Sequence, residues 1–152
     1  EALWRWAEAN GWEGIVAKRL SAPYREGKRH RDAFKKRIRR MYDAICIGVV
    51  YREGRAASLA LSLDGAYIGR ASLGLNGRIR SALHAYAARH GAAMPPFRGT
   101  FPAELARETV VWLLRPFPVA VTATEVTTDG LLRHPQLAEP AVLLRNLEQA
   151  LP

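Results

Sequence analysis

Glu13 stands between Trp12 and Gly14, directly before the apolar run Ile15-Val16-Ala17, and Lys18 follows. A glycine-flanked carboxylate at the mouth of a strand can reach a divalent cation, because hard Mg²⁺ takes oxygen ligands, keeps several waters and shares the rest of its shell with phosphates. Such an acid alone is most often an ordinary surface glutamate. The neighbours change that reading: from Arg25 to Arg40 there are nine lysines and arginines against two acids, Glu26 and Asp32. Cations at that density repel one another, and a bound polyanion relieves the repulsion. One hard oxygen ligand beside a basic tract suits phosphoryl chemistry, in which positioning and charge neutralisation do most of the catalysis.

These residues need elements to hold them. Leu3, Trp6 and Ala7 predict a short amphipathic helix stopped at Gly11, and "GIVAKR" (14–19) a strand. Residues 21–33, with Pro23, Gly27 and many charges, read as an exposed loop before a second short strand at "AFKKRI" (33–38). From Tyr42 the pattern changes. "YDAICIGVVY" (42–51) is β-branched and aromatic, and "REG" after it predicts a hairpin. The next strand alternates, with Ala57, Leu59, Leu61 and Leu63 expected to face inward and Ser58, Ala60, Ser62 and Asp64 outward. Asp64-Gly65 predicts a second hairpin into "AYIGRASLG" (66–74). Ile79, Leu83 and Tyr86 recur at helical spacing up to Gly91, and a proline- and glycine-rich connection (90–102) follows. Two more strands are predicted at "ETVVWLLRP" (108–116) and "FPVAVTATEVTTDG" (117–130), then a terminal helix from Pro140.

Three strands, a helix and two strands is the order of an OB-fold, a small Greek-key barrel, although other small barrels share this strand content. The expected fold class is therefore mainly β (α+β): a five-stranded barrel with one inserted helix, preceded by a short helix and strand remnant of another domain. At 152 residues, 49% of them apolar, the chain can bury a real core. The formal charge of +9 favours polyanionic partners, nucleic acid ahead of membrane. The single cysteine, Cys46, lies in an apolar run and reads as a small buried hydrophobe, with no disulfide framework to build. No apolar stretch reaches the roughly 18 residues of a membrane span and no signal peptide is evident, so a soluble cytoplasmic protein is expected. The first residues, "EALWRWAEANG", lack an initiator methionine, and the expectation is a chain that starts part-way through a larger protein.

"EGIVAKR" (13–19), followed by "SAPYREGKRHRDAFKKRIRRMYDAICIG" (21–48), resembles the last two nucleotidyltransferase motifs of ATP-dependent DNA ligases and the link into their OB domain. The likeness is greatest to bacterial end-joining ligases. It extends to "VTATEVTTDGLLRHPQL" (121–137), similar to a segment late in that family's OB domain. The resemblance implies a remnant of the adenylation domain at 1–40 and an OB-fold DNA-binding domain with a C-terminal helix at 41–152. It implies that Glu13 contacts a catalytic Mg²⁺ or Mn²⁺, and that Lys35 and Arg37 neutralise the α-phosphate of ATP or of the adenylate (AMP). Lys18 would support the same nucleotide pocket or the DNA phosphates, Lys36 would be the alternative to Lys35 in facing that pocket, and Arg145, in the family's final motif, would be a nucleotide-binding residue. Tyr24, Lys28, Arg29 and Arg31 would contact nicked or broken double-stranded DNA, as would Arg133. His134 reads as a packing or hydrogen-bonding residue rather than a catalyst.

One family feature is missing from the sequence. Lys-x-Asp-Gly, which carries the nucleophilic lysine, occurs nowhere: Ser62 and Thr127 stand at the lysine position before Asp64-Gly65 and Asp129-Gly130. The expected function is thus that of a C-terminal ligase fragment that binds DNA and nucleotide phosphates, with end-joining repair domains fused or associated in the parent. Two alternatives share parts of the pattern. One is a stand-alone OB-fold nucleic-acid-binding module, with Tyr51 and Tyr67 as base-stacking candidates. The other is an RNA ligase or capping-type nucleotidyltransferase.

Overall fold

A computed structural model describes residues 1–23, 26–27, 31–97 and 99–151. The chain divides into two compact units, Glu1–Arg39 and Arg40–Pro152.

In the first unit, helix α1 (Ala2–Ala9) ends where Gly11 takes a φ of 70°, a conformation that costs glycine nothing. Trp12 then donates its backbone N–H to the Ala7 carbonyl (2.9 Å) and sets its ring edge-on to Trp6 at 4.6 Å. Strands β1 (Gly14–Lys18) and β2 (Ala33–Arg37) pair antiparallel, Gly14 opposite Arg37 and Val16 opposite Lys35. Gly14 is needed at this pairing. Its φ is +152°, and a Cβ there would lie 2.1 Å from the Lys36 carbonyl oxygen.

The second unit is built on a curled, mainly antiparallel sheet. Strands β3 (Arg40–Arg52), β4 (Arg55–Leu63) and β5 (Ala66–Ala71) form a meander. Both of its turns have two successive positive φ values, Glu53-Gly54 and Asp64-Gly65, which suits the right-handed twist of paired strands. Helix α2 (Gly77–His90) starts at Asn76, whose side chain accepts the Ile79 N–H at 3.0 Å. Strand β6 (Gly91–Ala92) follows, then β7 (Thr109–Ala123), the short pair β8 (Glu125–Val126) and β9 (Leu132–Arg133), β10 (Gln136–Leu137) and helix α3 (Pro140–Gln149). The sheet order is β10-β7-β3-β4-β5, with β6 also on β7. One parallel bridge, Leu73 to Gln136, joins the outer strands across the curl, and Leu137 donates to the Leu73 carbonyl (3.0 Å).

Three expectations need correction. Segments 108–116 and 117–130 are not two strands but mostly one, β7, because Pro116 falls where the β3 register jumps from Cys46–Phe117 to Gly48–Trp112, so no ladder bond is lost. The main five-strand path therefore takes β10 as its last member and includes β6 as a sixth strand beside it. Strand β4 does not present a polar outer face: Ser58, Ala60 and Ser62 are buried too. The sheet is covered on both faces. Leu59, Leu61, Ile79, Leu83 and Val121 share one core with α2 and α3, while Ile47, Val50, Ala60, Leu105 and Trp112 form another. A register shift opposite Val50 and Tyr51 skips Ala57 and breaks the simple alternation, and Arg80 donates to the Ala56 and Ala57 carbonyls beside it (2.5 and 3.1 Å). Gly48 makes room for Trp112, whose ring would sit 2.9 Å from an added Cβ.

Candidate nucleotidyl-transfer and nucleic-acid sites

Residues paired across an antiparallel ladder point to one face, and strand neighbours to opposite faces. In the β1–β2 pair, Lys18 is opposite Ala33, Val16 opposite Lys35 and Gly14 opposite Arg37, so Lys18, Lys35 and Arg37 share one face. Lys36 belongs to the other, where its ammonium lies 4.2 Å from the centroid of the Trp4 ring. Glu13 precedes β1 and its backbone carbonyl accepts the Ile38 N–H at 2.8 Å, fixing it beside the end of β2. Its carboxylate lies 3.8 Å from the Lys35 ammonium, both side chains being largely exposed. An exposed acid and a cation on the face that also carries Arg37 and Lys18 can hold a phosphate and a cation that bridges it.

Arg31 is exposed, and next to it Asp32 pairs with Arg19 at 3.3 Å. Tyr24, Lys28 and Arg29 lie outside the described residues. In the second unit Arg133, on β9, donates to Glu125 on β8 at 2.6 Å. Arg145 is exposed on α3. Cys46 is fully buried, and burial pushes its thiol up to about 12, so it has no thiolate to offer at neutral pH.

The two tyrosines proposed for stacking differ. Tyr51 shares a hydrogen bond with His84 Nδ1 (3.1 Å) and packs against the main core. Tyr67 sits in an aromatic group that composition did not reveal: its ring lies 5.9 Å from Phe97, which is 5.4 Å from Trp112, with Phe101 a further neighbour of Trp112 at 6.3 Å. The Tyr67 O–H donates to Glu104; burial, then this carboxylate, raises its pKa. Phe97 and Phe101 belong to the connection read only as proline- and glycine-rich; the one available signal was aromatic residues among turn formers. The second missed feature is Glu108, which accepts from Arg70 (2.6 Å) and Arg52 (2.7 Å) and so ties β5 to β3 ahead of β7.

No family model matches the chain, and no curated protein does. Among solved structures it is similar to the ligase domain of LigD from M. tuberculosis, at 25% identity and a TM-score of 0.62 over 89% of this chain. It is also similar to a mycobacterial DNA ligase D complexed with ATP and MES, at 25% identity and 0.57 over 88%. The fold thus defines a chain related to ATP-dependent ligases. More particularly, it matches a C-terminal portion of an end-joining ligase of the LigD kind, and it spans 46% and 45% of those two chains, less than half of either. Among the described residues no helix is long and apolar enough to cross a membrane.

Proposed function

We propose that this chain is the C-terminal part of an ATP-dependent DNA ligase, the first unit closing its adenylation domain and the second an OB-fold that holds nicked or broken duplex DNA. The OB assignment is supported by the five-strand path, with α2 following β5, its third strand in chain order, and preceding β7, its fourth. One observation carries the catalytic reading: the Glu13 carboxylate and the Lys35 ammonium converge at 3.8 Å, on a unit whose one cationic face holds Lys18, Lys35 and Arg37.

The residues fit a divalent cation only as a shared guest. Among the described residues no group of three or more acidic, histidine or cysteine side chains could hold a metal. A single carboxylate suits Mg²⁺ or Mn²⁺ bound chiefly by phosphate oxygens and water. When bound, such an ion would polarise the phosphoryl oxygens. Lys35 and Arg37 would neutralise the charge on the α-phosphate oxygens and so ease approach of a nucleophile, and Lys18 would extend the same face. Lys36, turned to Trp4, would act on the pocket only at long range. Arg31, Tyr24, Lys28 and Arg29 would meet DNA phosphates near the nick, Arg133 would add a DNA contact on the second unit, and Arg145 would serve the nucleotide's phosphates.

The lysine that takes up AMP must come from residues outside this sequence, so the chain alone is expected to form no covalent AMP adduct with labelled ATP; an adduct would overturn this assignment. In a longer ligase carrying Lys-x-Asp-Gly, Glu13→Ala is expected to lower nick sealing by two orders of magnitude or more, about the loss of one charge-stabilising group. Normal sealing would remove Glu13 from the site. A stand-alone nucleic-acid module is the second reading, favoured by the second unit's having its own core.

A further inference from the structure

A pocket of about 610 Å³ in the second unit has a chemistry opposite to that of the rest of the chain. Its rings are Tyr67, Phe97 and Phe101, and its charged groups are Glu104 and Asp129. The described lining residues include no lysine or arginine, although the chain as a whole carries +9, and Arg98, next to Phe97, lies outside the described residues. Glu104 accepts the Tyr67 hydroxyl, a neutral donor that leaves the carboxylate without an ion-pair partner at that contact. Asp129 sits in the exposed turn between β8 and β9 and has no ion-pair partner among the described residues. Arg70 interacts electrostatically with Glu104, but its guanidinium is held by Glu108 at 2.6 Å.

Two carboxylates beside three aromatic faces disfavour a phosphate, and they disfavour a nucleobase that would bring its own phosphates with it. They suit a flat cation. A guanidinium stacks on a ring face, where the quadrupole attracts it, and offers in-plane N–H groups in a fork that can reach two carboxylates from different elements. An ammonium has the charge without the plane. We propose that this pocket binds the arginine side chain of a partner polypeptide, giving the second unit a protein-docking site distinct from any DNA surface. The proposal rests on the pocket alone and stands whether or not the chain is part of a ligase.

The test uses the full chain, with Trp112 as reporter because its ring adjoins Phe97 and Phe101. Its indole N–H resonance, assigned by Trp112→Phe, is followed while acetyl-Gly-Arg-Gly-amide is added, with lysine and citrulline peptides as controls. The expected result is a saturable shift with arginine, a weaker one with lysine and none with citrulline. Glu104→Gln with Asp129→Asn keeps the shapes and the Tyr67 hydrogen bond, and should weaken arginine binding about tenfold. Citrulline binding as well as arginine, no shift with arginine, or an unchanged affinity in the double variant would each overturn the proposal. So would a single-stranded oligonucleotide that moves the Trp112 signal and competes with the peptide, because the pocket would then serve nucleic acid.

Discussion

The Glu13–Lys35 pair leaves 67% of the acid's side chain and 49% of the lysine's exposed, so solvent screens most of its Coulomb energy. It contributes little to stability, and any strong effect of Glu13→Ala on sealing would therefore report on chemistry. The cations of the preceding loop can be separated from the site by salt. Replacing Lys28, Arg29 and Arg31 with alanine should weaken nicked-duplex binding and reduce the slope of log affinity against log salt by up to about 2.7, roughly 0.9 for each phosphate no longer neutralised. An unchanged slope would dismiss the loop as a DNA-binding element. Glu108 offers a test of a different kind. Hydrogen bonds from Arg70, then Arg52, hold its carboxyl below the ordinary 4.5. A depressed carboxylate adds stability above its unfolded pKa and loses it as pH falls through the folded value. Glu108→Gln should accordingly be less stable than the parent at pH 7, with the difference in urea midpoints closing below pH 4.5; a gap that persists in acid would mean the charge is irrelevant.

At the scale of elements, the β1–β2 pair depends on one small residue. In Gly14→Ala the new methyl would meet the Lys36 carbonyl at 2.1 Å and the Arg37 Cα at 2.8 Å, both backbone atoms that cannot step aside. The expected outcome is lost hydrogen-exchange protection at β1 and β2 with β3 and β7 unaltered, and unchanged exchange in the first pair would refute this. Legibility in the sequence followed the strength of local signals. Glu53-Gly54 and Asp64-Gly65 announce their hairpins because both turn positions take positive φ, which few residues tolerate. Strand β7 reads as two because Pro116 looks like a break, and only the register shift at Ile47 explains how a strand accommodates it. Strands β6 and β10 have two residues each, too short for any periodicity. At the candidate site, the sharing of a face by Lys18, Lys35 and Arg37 follows from strand parity once the register is known, yet the register itself depends on a loop the sequence does not specify. The aromatic group is hidden from the sequence because Tyr67, Phe97 and Trp112 meet only through the folded sheet.

For the molecule as a whole, the two units differ in how they are held. The second has a core on each face of its sheet, with Leu59, Leu61 and Leu83 wholly buried. The first exposes Leu3, Trp6, Trp12, Val16, Leu20 and Phe34 around a two-stranded sheet, an assembly that is marginal by itself in water. That imbalance agrees with a chain spanning less than half of the ligase structures it matches. The bridge between Leu73 and Gln136 has its own implication. A bridge between residues so far apart in sequence closes a long loop at an entropic cost and gains little pairing in return, so this edge of the curled sheet is expected to lose hydrogen-exchange protection before the long strands β3 and β7 do.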